Sequence, residues 1–145
     1  MERVGRYGLL FVRSYLGAFN LASGINFFLH VWGQPIPADA LNTAYMNVTL
    51  QLHLFQLAKV LEIAGGFCLL ADVCVPLGLV LLAPVSVTIF VMNVFFSPLI
   101  HVAISGARNF AFHLLLFAAY FGHYRAMLRV SAEPRPLWRP ETHHG

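Results

Sequence analysis

Leu50 to Leu70 reads LQLHLFQLAKVLEIAGGFCLL, an apolar run long enough to cross a bilayer as a helix, with Lys59 and Glu62 near its middle. Charges at that depth are unfavourable in lipid, so by default they face a protein interior, take partners and mark function. At about 100° per residue, Gln56, Lys59, Glu62 and Gly66 fall on one helix face, and Gly66 lets a neighbouring backbone approach closely. The stretch predicts a membrane bundle with an ionic interior.

Composition points the same way. The 145 residues are 59% hydrophobic and only 10% charged, with a mean hydropathy of +0.71, whereas soluble domains carry roughly 25% charged residues. The expected fold is all-α, a four-helix transmembrane bundle forming one domain over residues 1–130, with spans near 8–32, 50–71, 76–96 and 108–128. Each span meets the ~20 residues that a hydrocarbon core demands. The first carries Arg13 and shows no small-residue cleavage site, so it reads as mature structure and not as a signal peptide. Pro35 and Pro37 end it, since a helix cannot continue through them. The connection from Pro35 to Val48 leaves room for a short interfacial helix, Asp72 to Val75 predicts a tight hairpin before Pro76, and residues 131–145 read as a disordered cytoplasmic tail.

The arginines set the orientation. Arg3 and Arg6 precede the first span, Arg125, Arg129, Arg135 and Arg139 follow the fourth, and Pro35 to Val48 has no Lys or Arg. Both termini are therefore expected in the cytoplasm, in a multi-pass protein of the cell membrane. The pI near 9.2 then reflects topology and anionic headgroups, with the lipid bilayer as partner and no nucleic-acid surface.

Polar residues inside the spans supply the candidate sites. Depth along the helices, at ~1.5 Å per residue, suggests an ion pair from Arg13 to Glu62 with Lys59 one turn further out, a cluster that could relay protons. Arg13, Gly17, Asn20 and Gly24 share a stripe that would bring the first helix close to the second. The competing reading is a structural pair that only fixes register. Asn26, His30, His53, Gln56, Asn93, Asn109 and His113 all fall in the outer half, where their stripes could converge on a cavity for a small ligand or a quinone headgroup. The histidines lack the close spacing of a helical metal motif, so interhelical hydrogen bonding is expected and no metal site is assigned. Cys68 and Cys74 form no CxxC motif and read by default as small buried residues, with any redox role left open. No nucleophilic triad or phosphate-cradling loop is present in the sequence.

The run Lys59-Val60-Leu61-Glu62-Ile63-Ala64-Gly65-Gly66-Phe67-Cys68-Leu69-Leu70, then Val75-Pro76-Leu77-Gly78-Leu79 and Ala83-Pro84-Val85-Ser86-Val87, resembles the central signature of the DoxX-like membrane proteins. Gly24-Ile25-Asn26-Phe27-Phe28-Leu29-His30 before Gln34-Pro35-Ile36-Pro37 is similar to the end of that family's first helix. The resemblance covers roughly Arg13 to Arg125 and matches the family pattern at Arg13, Asn26, His30, Glu62, Gly65 and Gly66. It implies a four-helix membrane protein, and some relatives are linked to quinone or thiol redox chemistry. This chain departs from the pattern at Phe27, where relatives often have lysine, and at Thr88 and Asn93, where they often have Asn and His.

The adopted reading is a quinone-linked or thiol-redox-associated subunit or accessory protein that depends on a redox partner protein. A small-solute carrier and a non-catalytic membrane scaffold are the alternatives. Whether the chain is an enzyme, which cofactor beyond a quinone it would use, and whether it forms a homo-oligomer are left open.

Overall fold

The computed structural model describes residues 2–33 and 39–125. The turn at Pro35 to Pro37, the arginines 129, 135 and 139, and the tail 131–145 lie outside the described residues. Six helices follow one another: α1 Glu2–Leu29, α2 Ala40–Gln51, α3 Leu54–Leu70, α4 Val75–Phe95, α5 Ile100–Ala119 and the single turn α6 Phe121–Tyr124. Among the described residues there is no strand.

Local chemistry sets several of these boundaries. Asp39 caps α2, its carboxylate accepting the Asn42 backbone N–H at 2.8 Å and the Asn42 side-chain amide at 2.6 Å. Those two bonds, the backbone one first, hold the Asp39 carboxyl below the usual carboxylate range. Pro76 sits in the first turn of α4, where its missing N–H removes nothing. Three helix breaks use residues in the left-handed region: His30 after α1, His53 between α2 and α3, and Asp72 and Cys74 between α3 and α4. That conformation is disfavoured by roughly 1–2 kcal/mol for a residue with a Cβ. Cys74 has φ 50° and is exposed, so its side chain contributes little to offset the strain. Cys74→Gly is expected to raise unfolding stability in mixed detergent micelles by about 1 kcal/mol; a loss of stability would contradict the strain argument.

Packing centres on α3. It lies between α1 and α4, α4 packs on α5, and α1 and α5 also touch; Val12, Leu16, Leu69, Val75, Leu79, Leu82 and Leu116 from these four helices form one shared apolar cluster. Two adjacent glycines make this possible because they face opposite neighbours. A Cβ on Gly66 would sit 2.7 Å from the Leu21 amide nitrogen and 2.8 Å from the Gly17 carbonyl of α1, while one on Gly65 would sit 2.5 Å from Leu82 and 3.0 Å from the Gly78 carbonyl of α4. With hydrogen as side chain, both interfaces close to near backbone contact and gain dispersion energy. The Tyr124 hydroxyl donates to the Pro76 carbonyl at 2.8 Å, which ties α6 to the α3–α4 hairpin end of the molecule.

Leu16, Leu69, Leu79, Leu82 and Leu116 form the fully buried core, and several polar residues are buried with them. Glu62 is 2% exposed, Asn20 4% and His113 3%, whereas Leu57, Phe67, Leu77, Ile104 and Leu114 point outward with more than half of their surfaces open. Such an apolar exterior, over an interior that also holds polar groups, suits contact with lipid. By length and composition α4 and α5 can each cross a membrane, and α2 with α3 can form a third, bent span. α1 is not among these candidates. Its 28 residues are ample, but Arg13, Asn20 and Asn26 dilute its hydropathy.

Two boundaries differ from the sequence expectation. The span expected over 50–71 is not one straight helix: Leu50 and Gln51 belong to α2, and the chain turns by 86° before α3. The left-handed backbone of His53 produces that corner. The fourth helix begins at Ile100 and ends at Ala119, several residues earlier at both ends than the expected 108–128. Ser105, Gly106 and Ala107 look like a loop in sequence, yet Gly106 is helical because it must let Asn93 of α4 pack against it, a Cβ there falling 2.7 Å from that of Asn93.

Candidate functional site

The Lys59 ammonium is largely shielded, its side chain 12% exposed. Its Nζ donates to both carboxylate oxygens of Glu62, at 2.9 and 2.8 Å, and to the hydroxyl of Ser23 on α1 at 2.9 Å. All three of its protons thus have acceptors. Helical spacing of three residues places Lys59 and Glu62 on one face of α3, and the close approach of α1 at Gly24, whose Cβ would meet the Lys59 carbonyl at 2.8 Å, brings Ser23 to them. The stem of Lys59 passes the Phe55 ring, with Nζ 5.3 Å from its centroid.

This cluster forms part of the wall of a cavity of about 690 Å³. Helix α2 covers one side with Tyr45, Met46 and Thr49, and α4 supplies Pro84, Thr88 and Asn93. From Pro84 to Asn93 the wall runs about 14 Å along α4 at ~1.5 Å per residue. A second cavity of about 350 Å³ includes Asn26 and Trp32 and shares Phe19, Ser23, Met46, Phe55 and Lys59 with the first. Both volumes fall in the range of small-molecule sites, and the walls are mainly apolar with a few polar groups, as such sites usually are.

The ion pair expected between Arg13 and Glu62 does not form; Glu62 pairs with Lys59, and Arg13 pairs with Asp72 in the α3–α4 hairpin. Geometry explains the exchange. Gly17 packs beside Gly66, Leu69 and Leu70 at the end of α3, so Arg13, one turn earlier on α1, emerges past that end where Asp72 waits. Glu62 lies about 12 Å further along α3, by ~1.5 Å per residue from Leu70. With Asp72 62% exposed, the Arg13 bridge sits at the edge of the molecule, away from the cavity.

The seven residues expected to line one cavity are not brought together. Asn93 lines the larger cavity and Asn26 the smaller. Asn109 and His113 are buried on α5, and the His113 Nδ1 lies 3.0 Å from the Ser86 hydroxyl of α4. His30 and His53 are exposed at helix breaks, and Gln56 reaches back to the Leu50 carbonyl at 3.5 Å. Asn26 is structural as well as cavity-lining, its Oδ1 accepting the Trp32 amide at 2.9 Å to close the end of α1. Among the described residues, no group of three or more His, Cys, Asp or Glu side chains gathers as metal ligands would.

No family model, curated protein or solved structure matches this chain. The site therefore has to be read from its own residues.

Ser23 carries no expected role from the sequence, yet it is the third acceptor of Lys59. Tyr45 comes from a helix that the 86° corner carries over the cavity. Arg108, expected at the start of the last span, lies within α5 and lines neither cavity. The Arg108 guanidinium is stacked over the Tyr15 ring at 5.2 Å, joining α5 to α1. Ser23 was legible in principle, because a buried ammonium bonded to one carboxylate still needs another acceptor.

Proposed function

We propose that this chain is a multi-pass protein of the cell membrane, a DoxX-like four-helix bundle with both ends on the cytoplasmic side, that binds a quinone or a similar small apolar ligand as a subunit or accessory of a membrane redox system. One observation carries the reading: a buried, internally neutralised Lys59–Glu62–Ser23 cluster stands in the wall of an apolar cavity of about 690 Å³. A site built only to hold helices together gains nothing from leaving such a space beside its ions, since empty volume forfeits dispersion contacts. The pair stands beside any bound ligand with its charges balanced. In this reading electrons come from a partner protein.

Trp32 provides the reporter, since it lies at the smaller cavity and the other tryptophan, Trp138, can be replaced by Phe. Titration of the Trp138→Phe protein in mild detergent with decyl-ubiquinone is expected to quench Trp32 fluorescence saturably. Quenching that rises without saturation, as for a solute merely dissolved in the micelle, would count against the reading.

A further inference from the structure

The hydrogen-bond accounting around the cavity says more than its volume does. Lys59 spends its three protons on Glu62 and Ser23, so its charge is balanced and it has no free N–H for a ligand. Thr49 and Thr88 donate their hydroxyl protons to carbonyls of their own helices, at 2.9 Å to Tyr45 and 2.9 Å to Pro84. Ser23 differs from both. Its one hydrogen bond is accepted from Lys59, which leaves its own proton unspent at a position shared by the two cavities. Ser97 is similar, accepting from the Leu99 amide at 3.3 Å and keeping its proton on the wall of the larger cavity. Asn93 and Tyr45 also line that cavity.

The wall thus offers protons to a ligand and no net charge. An anionic headgroup would meet the Glu62 carboxylate already beside Lys59, and a cationic one would meet the ammonium; either would have to leave water without a counter-ion. A neutral carbonyl oxygen needs only a donor. We infer that the cavity is selective for neutral carbonyl compounds with an apolar body, with the Ser23 hydroxyl donating to the carbonyl oxygen and the Lys59–Glu62 pair holding that hydroxyl in place by occupying its lone pair. The inference rests on the cavity being a ligand site and names the chemistry it selects.

The test is competition against decyl-ubiquinone in the Trp32 fluorescence assay, using an alkyl methyl ketone and the carboxylate and primary amine of equal chain length. The ketone is expected to displace the probe, and the acid and amine to require at least about ten-fold more, the equivalent of one unmatched polar group. Ser23→Ala is expected to weaken ketone binding about ten-fold, and Ser23→Thr to retain it. Equal competition by ketone, acid and amine would overturn the selectivity while leaving the cavity a binding site. Ketone affinity unchanged in a folded Ser23→Ala protein would overturn the role of Ser23. Absence of any saturable signal from decyl-ubiquinone would instead remove the underlying reading.

Discussion

Lys59→Met is expected to lower unfolding stability by about 3–5 kcal/mol, the usual loss when one partner of a buried ion pair is removed. The size follows from what remains. Glu62 is 2% exposed, and both of its oxygens accept from Lys59, so methionine leaves a carboxylate in the interior with its principal partner gone. Glu62→Gln alone strands the ammonium in the same way, although Ser23 still accepts one of its protons. Made together, the two changes are expected to recover most of the loss, because two neutral side chains of similar volume incur little desolvation. Reversible unfolding of the four proteins in mixed micelles gives the coupling energy directly. Additive losses would mean that the pair is not a unit.

The second large effect is at Gly66. Gly66→Leu is expected to destabilise by roughly 2–3 kcal/mol, as overpacking of a close interface does. Even the first carbon of a side chain there would lie 2.7 Å from Leu21 N and 2.8 Å from Gly17 O, and both are backbone atoms that cannot rotate away. α1 would have to move off α3, taking Ser23 from Lys59. Gly8→Ala is the control, since a Cβ there meets nothing within 4 Å and helix propensity improves by about 1 kcal/mol. The two substitutions should therefore shift the unfolding midpoint in opposite directions. A Gly66 variant as stable as the Gly8 variant would rule out the close α1–α3 contact.

Much of the architecture was legible because it rests on local rules. Prolines and apolar runs mark helices, and the face shared by Lys59, Glu62 and Gly66 points inward as its periodicity requires. The stripe of Gly17 and Gly24 on α1 meets α3 as expected. Pairing was harder. Arg13 and Glu62 are of opposite charge at similar estimated depth, but the true register places Arg13 beyond the end of α3 beside Asp72, and register depends on glycine contacts between helices distant in sequence. The cavity was harder still. Its cover, α2, follows from the single left-handed residue His53, whose φ of 58° is more accessible to His than to most residues but too rare in any histidine for its type alone to announce the corner. His30 was read as cavity-lining, yet it turns the chain at the end of α1, which is a backbone role carried by an ordinary side chain. Gly106 and Arg108 looked like a span boundary, and only the contact with Asn93 and the stacking on Tyr15 show why a helix runs through them.

The most direct test of the central claim is native mass spectrometry of the protein released from mild detergent, comparing wild type with Ala58→Trp, which places an indole in the larger cavity. The wild type is expected to carry a small neutral adduct, displaced by added decyl-ubiquinone, and the variant to appear as bare protein. Wild type that takes up no decyl-ubiquinone, or a variant that takes up as much as wild type, would rule out a ligand site in this cavity.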